Sequence, residues 1–417
     1  MTQGLTKTRF SGMFFHQPNQ PMTIVMIGQK GVPARSGGIE RHVELLAKGL
    51  ASRGHRVVVF GRAAYVGGRL LRVPGVEERL SPGIRTKSFD ALTHSITALW
   101  AARRERPDIV HIHGTGIALL TPLARVLHPN AKVIVTFHCI DRTLSKWGFI
   151  ARMVFRAGEW LACHAAHRTI AVSQALTRYC MDTYGTQTTY IAHPFVMPEA
   201  NFAEAQRLSS FGLEPERYFL FVGRLIPDKQ AHVLVRAFAR AKVERPDAMR
   251  GMKLAIVGGA SWTDRYARVL CQLTSKDPDV LLLGEKTGAD LVALQAHAFA
   301  HVFPTASEGL SVAIMEAGAH GRLIIATDIE SNLEVTGGHM IPARSGDEAS
   351  LARALETSLE TARFDRDAMA SRAKAHVKIA YDYDNRIDDM CVLYREVAEM
   401  ATELVTPIVL EPASHNA

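Results

Sequence analysis

Residues 301–327 read HVFPTASEGLSVAIMEAGAHGRLIIAT. The apolar run at 301–304 has the length and composition of a buried strand. Glu308-Gly309 makes a turn, residues 312–320 form an apolar helix, and 323–327 is a second apolar strand. Two strands apolar throughout and joined by a helix predict a parallel sheet covered on both faces.

The same alternation extends outward. Strands are predicted at 218–222, 253–257 and 280–283, with helices at 229–243, 264–274 and 289–297. Residues 347–362 and 383–404 are also predicted helical. An earlier series places strands at 23–28, 56–60, 84–89, 108–113, 132–138, 169–173 and 188–192. Its helices fall at 38–53, 90–106, 117–128, 145–166 and just before Tyr184. This is an α/β chain with two doubly wound, Rossmann-like parallel-sheet domains facing a cleft. The expected boundaries are a disordered leader at 1–21, a first domain at 22–196 and a polar, proline-bearing linker at 197–216. A second domain at 217–378, a helical segment at 379–405 packing back on the first domain, and a tail at 406–417 complete the chain.

Of the 417 residues, 47% are hydrophobic and 22% charged, an ordinary globular balance. No stretch of about 18 apolar residues predicts a membrane span. Five cysteines (Cys139, Cys163, Cys180, Cys271, Cys391), none in a CxxC pair, point to thiols in a reducing compartment. The net charge of +8 is unevenly placed. Residues 1–200 hold 25 basic and 11 acidic side chains, net +14; residues 201–417 hold 24 and 30, net −6. Such a basic half suits either an anionic surface or plain solvent.

Ligands of doubly wound sheets sit at the carboxyl ends of the strands. There, Gly309, Leu310, Ser311 and Val312 offer free N–H groups at a helix start, an anion site. Glu316 is a lone carboxylate in an apolar helix and needs a hydrogen-bonding partner. A sugar diol or an arginine would serve. Arg224 and Lys229 follow another strand and together can neutralise a diphosphate. Asp228 is expected to cap the next helix, with Lys229 in its first turn. In the first domain, GQKGVPARSGG at 28–38 joins strand to helix, and Gly37-Gly38 allows close backbone approach. It is not GxGxxG, and no P-loop occurs. His138 ends a strand beside Asp141, and His111 and His113 end another. No third metal ligand stands at a telling spacing, and Cys163-His-Ala-Ala-His167 is equally unspecific. These histidines are read as packing or polar contacts, and Asp382-Tyr-Asp384 as a chance DxD.

Gly37-Gly38, Arg224 with Lys229, and Glu308-x7-Glu316 together resemble glycosyltransferase family 4, over roughly residues 22–360. The flanking text resembles its bacterial exopolysaccharide and lipopolysaccharide branch. The resemblance implies the GT-B fold and retaining, metal-independent transfer from a nucleotide-sugar donor, with no cofactor. It implies that Glu316 holds the ribose, Glu308 the donor hexose, and Arg224 and Lys229 the departing diphosphate. His138 would face the donor sugar and Gly38 the phosphates. The implied acceptor is a glycan or lipid-linked sugar, met in the cytoplasm or at the inner membrane face. The chain departs from the family with Cys139 after His138, and with Ala192-His193-Pro194 before the linker. The first departure bears on donor geometry; the second is expected to affect only the hinge. Three other readings stand beside this one: an oxidoreductase using Arg62 for NADP, a non-catalytic nucleotide-binding protein, and a nucleic-acid binder. The last lacks interleaved aromatic and basic residues.

Overall fold

A computed structural model describes residues 20–35, 37–66, 73–84, 90–198, 204–259 and 264–400. The first domain holds a seven-stranded parallel sheet. Its strands are β1 (Thr23–Ile27), β2 (Arg56–Arg62), β3 (Val76–Ser81), β4 (Ile109–His113), β5 (Lys132–Phe137), β6 (Arg168–Ala171) and β7 (Thr189–Tyr190), in the order β3-β2-β1-β4-β5-β6-β7. The second holds β8 (Tyr218–Val222), β9 (Lys253–Val257), β10 (Val280–Gly284), β11 (Ala300–Phe303), β12 (Leu323–Thr327) and β13 (Ile341–Ala343), in the order β10-β9-β8-β11-β12-β13. The central strands β1, β4, β5, β8, β11 and β12 are almost fully buried, as two helix-covered faces require. Each order reverses beside its first strand, at β1/β4 and β8/β11, so the site-bearing loops rise at these two switch points.

Several expectations change. The strand placed at 84–89 lies outside the described residues apart from Ile84, which is not in a strand; the edge strand is Val76–Ser81. The linker carries a 3₁₀ helix, Ala205–Phe211, whose Leu208 is buried with Tyr218 and Leu220 of the second domain. Residues 363–380 form a helix that the sequence did not reveal, and Glu330–Thr336 forms a short one. Apart from residues 20 and 21, the leader lies outside the described residues, as does the tail.

The chain crosses between domains twice, and the crossings touch. Phe195 N–H donates to the Tyr381 carbonyl at 2.9 Å, and Phe195 forms a parallel bridge with Asp382. Helix Tyr383–Glu399 then returns to the first domain. Its Ile387, Met390, Leu393 and Tyr394 join the core around β1, β2 and β4. Gly49 lies so near that an added Cβ would stand 2.5 Å from Ile387. Arg53 ties the helix down through Asp384 and Asp388. Asp382 caps it by accepting from Asn385 N–H. The DxD carboxylates thus have structural partners.

Ile387→Ala should destabilise the first domain by about 2–5 kcal/mol, the usual loss for a buried large-to-alanine change. Urea denaturation followed by tryptophan fluorescence, with three of the four reporters (Trp100, Trp147 and Trp160) in that domain, measures it.

Candidate active site

Two helix starts, one from each domain, meet across the cleft. An added Cβ on Gly38, first residue of helix Gly38–Ser52, would stand 3.7 Å from Val312 Cγ2. Val312 begins helix Val312–Ala319. Neither helix has a side-chain cap at its start, so both sets of first-turn N–H groups remain available to an anion. Gly37 precedes the first helix at φ 104°, where a side chain would strike the Glu40 carboxylate. Gly309 has a still tighter seat. A Cβ there would lie 1.7 Å from the His138 carbonyl oxygen and 3.0 Å from Cys139 Cα. The second domain's loop therefore rests on the end of β5.

Lys229 and Glu308 meet as an ion pair, and both are largely buried. Sequence reasoning gave them separate duties and did not foresee this contact. The capping expectation is corrected. Lys229 closes the 3₁₀ turn Pro227–Lys229, and Gln230, at φ 52°, separates it from helix Ala231–Glu244. Asp228 reaches across the cleft instead, accepting from Ser145 N–H and Ser145 Oγ at 3.0 Å each. Arg224 is exposed. Its charge helps lower the pKa of Lys146, although burial of that lysine is the larger cause. Glu316 accepts a hydrogen bond from Gln295 Nε2 at 3.1 Å, so an amide is its direct partner where an arginine had been one alternative. Burial raises its pKa; Gln295 and, more weakly, Arg41 of the first domain oppose this. Leu310 and Ser311 are buried in the loop between Gly309 and the helix.

His138 is 4% exposed. Its Nε2 lies 3.3 Å from His113 Nδ1 and its Nδ1 lies 3.1 Å from His193 Nε2. His42 packs on the same group, with ring centroids 5.0 Å from His138 and 4.5 Å from His193. No third ligand-type residue stands at a telling spacing in the sequence, and in the structure His42 and His193 join His113 and His138 from distant segments. The hinge-only reading of His193 is corrected, because it touches His138 directly. By contrast, His167 Nδ1 accepts from Val133 N–H, and His164 stacks on Trp160 at the surface. Arg62, the NADP candidate, is paired with Asp90.

Residues 36–199 match the model for Glycosyltransferase Family 4 and residues 216–361 that for Glycosyl transferases group 1. The chain belongs to the family 4/group 1 glycosyltransferases, and its two-sheet architecture is the GT-B fold. It is 26% identical over 341 residues to a phosphatidyl-myo-inositol mannosyltransferase of Mycobacterium tuberculosis, covering 78% of this chain and 84% of that one. It is 25% identical over 402 residues to the glycogen synthase of the same organism, covering 87% and 91%. In structure it resembles Anabaena HepE, solved with UDP and glucose, at TM-score 0.72 and 18% identity over 90% of this chain and 100% of that one. A sucrose-phosphate synthase from Thermosynechococcus elongatus gives TM-score 0.76 at 19% identity, over 90% and 99%.

Burial pushes the imidazoles of His42, His113 and His138 well below the ordinary range, with neighbouring histidines adding to the effect. It lowers His111 to about 3 and His193 to about 4. Folding thus favours the neutral rings. That contribution is complete above the unfolded pKa near 6.5 and is lost as pH falls below it. The unfolding free energy from urea titrations should fall steeply between pH 7 and pH 5, by up to about 1.4 kcal/mol per pH unit for each buried histidine. A flat profile across that window contradicts neutral burial.

Proposed function

We propose that the chain is a retaining hexosyltransferase, moving a sugar from a nucleoside-diphosphate donor to a glycan or lipid-linked acceptor in exopolysaccharide or lipopolysaccharide synthesis. The observation that carries this reading is the meeting of two uncapped helix starts, Gly38 and Val312, beside Arg224, Lys229 and Glu308. Negative charge develops on the departing diphosphate, where fixed N–H groups and cations stabilise it. This arrangement supplies that charge stabilisation without a divalent metal at the diphosphate. In the proposed arrangement Arg224 and Lys229 face the diphosphate, and Glu308 orients Lys229 and accepts from the donor hexose. Glu316 accepts from the ribose, and the segment at His138 borders the sugar. No carboxylate is assigned as a covalent nucleophile, so a front-face displacement accounts for retention. HepE, solved with UDP and glucose, and the mannosyltransferase named for a lipid-linked inositol agree with this donor and acceptor chemistry.

Donor hydrolysis across a panel of nucleotide sugars tests the reading. One or a few donors should turn over in buffer without Mg²⁺ or Mn²⁺, and adding either ion should leave the rate unchanged. Lys229→Ala should lower kcat about a hundredfold or more, with Glu308→Gln acting mainly on transfer. Glu316→Gln should weaken binding of the bare nucleoside diphosphate by calorimetry. Because the pKa of Glu316 is raised, wild-type binding should weaken on acidification before an ordinary carboxyl would protonate; the Gln variant should lack this dependence. Normal turnover by the Lys229 variant rules out its place at the diphosphate.

Membrane docking is the second part of the proposal. No helix among the described residues is long and apolar enough to cross a membrane. Helix Phe149–Ala165 instead exposes its first turns. Phe149 and Ile150 are each 79% exposed, with Met153, Val154, Arg152 and Arg156 beside them. Arg142, just before this helix, turns inward to Glu159 and Tyr179. Apolar and basic side chains on one exposed surface suit an anionic interface. The protein should sediment with anionic vesicles, less so in high salt and not with neutral ones. Ile150→Glu should abolish sedimentation; equal recovery in all supernatants contradicts docking.

A further inference from the structure

Four imidazoles converge under the Gly309 seat from four separate segments. His42 lies on helix Gly38–Ser52, His113 ends β4, His138 follows β5 and His193 follows β7. One ligand nitrogen from each of His42, His113 and His138 lies within 4.8 Å of the other two, and all three residues are buried. His113 Nδ1 and His138 Nε2 are 3.3 Å apart. Two zinc–nitrogen bonds of about 2.0–2.1 Å at a tetrahedral angle set their nitrogens at nearly that separation.

The hydrogen bonds sort the cluster. His111, whose ring centroid lies 4.1 Å from that of His113, has both nitrogens engaged, by Tyr394 Oη at 2.7 Å and Thr136 Oγ1 at 2.6 Å. It has no lone pair to give. His138 Nδ1–H can donate to His193 Nε2, which leaves His138 Nε2 as the lone pair facing His113. A carboxylate, carbonyl or similar acceptor behind the ring is what fixes metal-bound histidines elsewhere. His42 is buried, and neither of its ring nitrogens has a hydrogen-bond partner among the described residues. A neutral imidazole has one N–H and one lone pair to satisfy, and this ring is packed against His113 and His138.

We propose that His42, His113 and His138 bind one zinc ion whose fourth, tetrahedral position is taken by water, with His193 as the outer hydrogen-bond partner of His138. Three neutral nitrogens select zinc and its imidazole-seeking neighbours over Mg²⁺ or Ca²⁺, which require oxygen ligands. The site is therefore distinct in chemistry from the diphosphate pocket. It would pin the first helix to the ends of β4 and β5, directly beneath the residue on which the second domain rests.

The full chain, stripped with chelator, is titrated with Zn²⁺ against a chromophoric chelator and with Co²⁺ as a spectroscopic probe. One tight equivalent, the intense visible bands of tetrahedral cobalt and a rise in melting temperature with Zn²⁺ are expected. His42→Phe and His113→Phe should lose the equivalent, whereas the exposed His164→Phe should keep it. His193→Phe should weaken it roughly 10- to 100-fold while retaining the cobalt bands. Wild-type protein showing only the pale spectrum of octahedral cobalt overturns the site, whether or not the variants fold. Undiminished binding in folded His42→Phe does so as well. Neither result depends on glycosyl transfer, so the proposed function stands or falls separately.

Discussion

The contact on which the cleft depends is the seat of Gly309 on the His138 carbonyl. An added Cβ at 1.7 Å would force backbone apart from backbone, with no flexible side chain to give way. Only glycine lets the loop after β11 rest on the end of β5. The separation of the two helix starts follows from this seat, because Val312 is three residues beyond Gly309. Asp228 fastens the same wall to Ser145. On the far side Glu334 accepts from Gln174 N–H at 2.9 Å, holding the start of a first-domain helix from the second domain. The domains thus meet around one close-packed glycine, through these polar contacts at helix and loop ends and through an apolar cluster that joins Phe137 and Phe195 to Leu310 and Ile314.

This arrangement concentrates positive potential without concentrating many cations. Helix starts contribute partial charges that cannot move away, while Lys229 is restrained by Glu308. A restrained cation reorganises little as charge develops, which is how a preorganised site outperforms water. The cost is a pair of partly buried charges that must stay matched. Removing either leaves the other in a medium that solvates it poorly.

Buried strands and their connecting helices were legible because their apolar runs are continuous; β8, β9 and β12 were placed to the residue. Edge strand β3 was not, since Glu77, Glu78 and Arg79 fill it with charge, as an exposed edge tolerates. Helix Arg363–Ala380 buries only Ala370, Ala373 and Val377, too few and too small for a visible apolar stripe. At the candidate site, motif spacing singled out Arg224, Lys229, Glu308 and Glu316, of which the structure pairs Lys229 with Glu308. It misjudged Asp228, where a local capping preference lost to a hydrogen bond 83 residues away. Of the histidine cluster, His113, His138 and His193 were noticed separately, with no local sign that they meet each other or His42. Its members stand at 42, 113, 138 and 193, and only the parallel order of the strands brings them together.

The touching crossings at Phe195 and Asp382 have a consequence for how the molecule is made. The core around β1, β2 and β4 is finished by Ile387, Leu393 and Tyr394, which leave the ribosome after the whole second domain. The domain begun first is therefore completed last. Until helix Tyr383–Glu399 emerges, Gly49 lacks the Ile387 that packs on it and His111 lacks its tyrosine partner. The second domain can reach its own core meanwhile, since the strands and helices that build it are already present. Closing the first domain around its final helix also brings the second crossing onto the first.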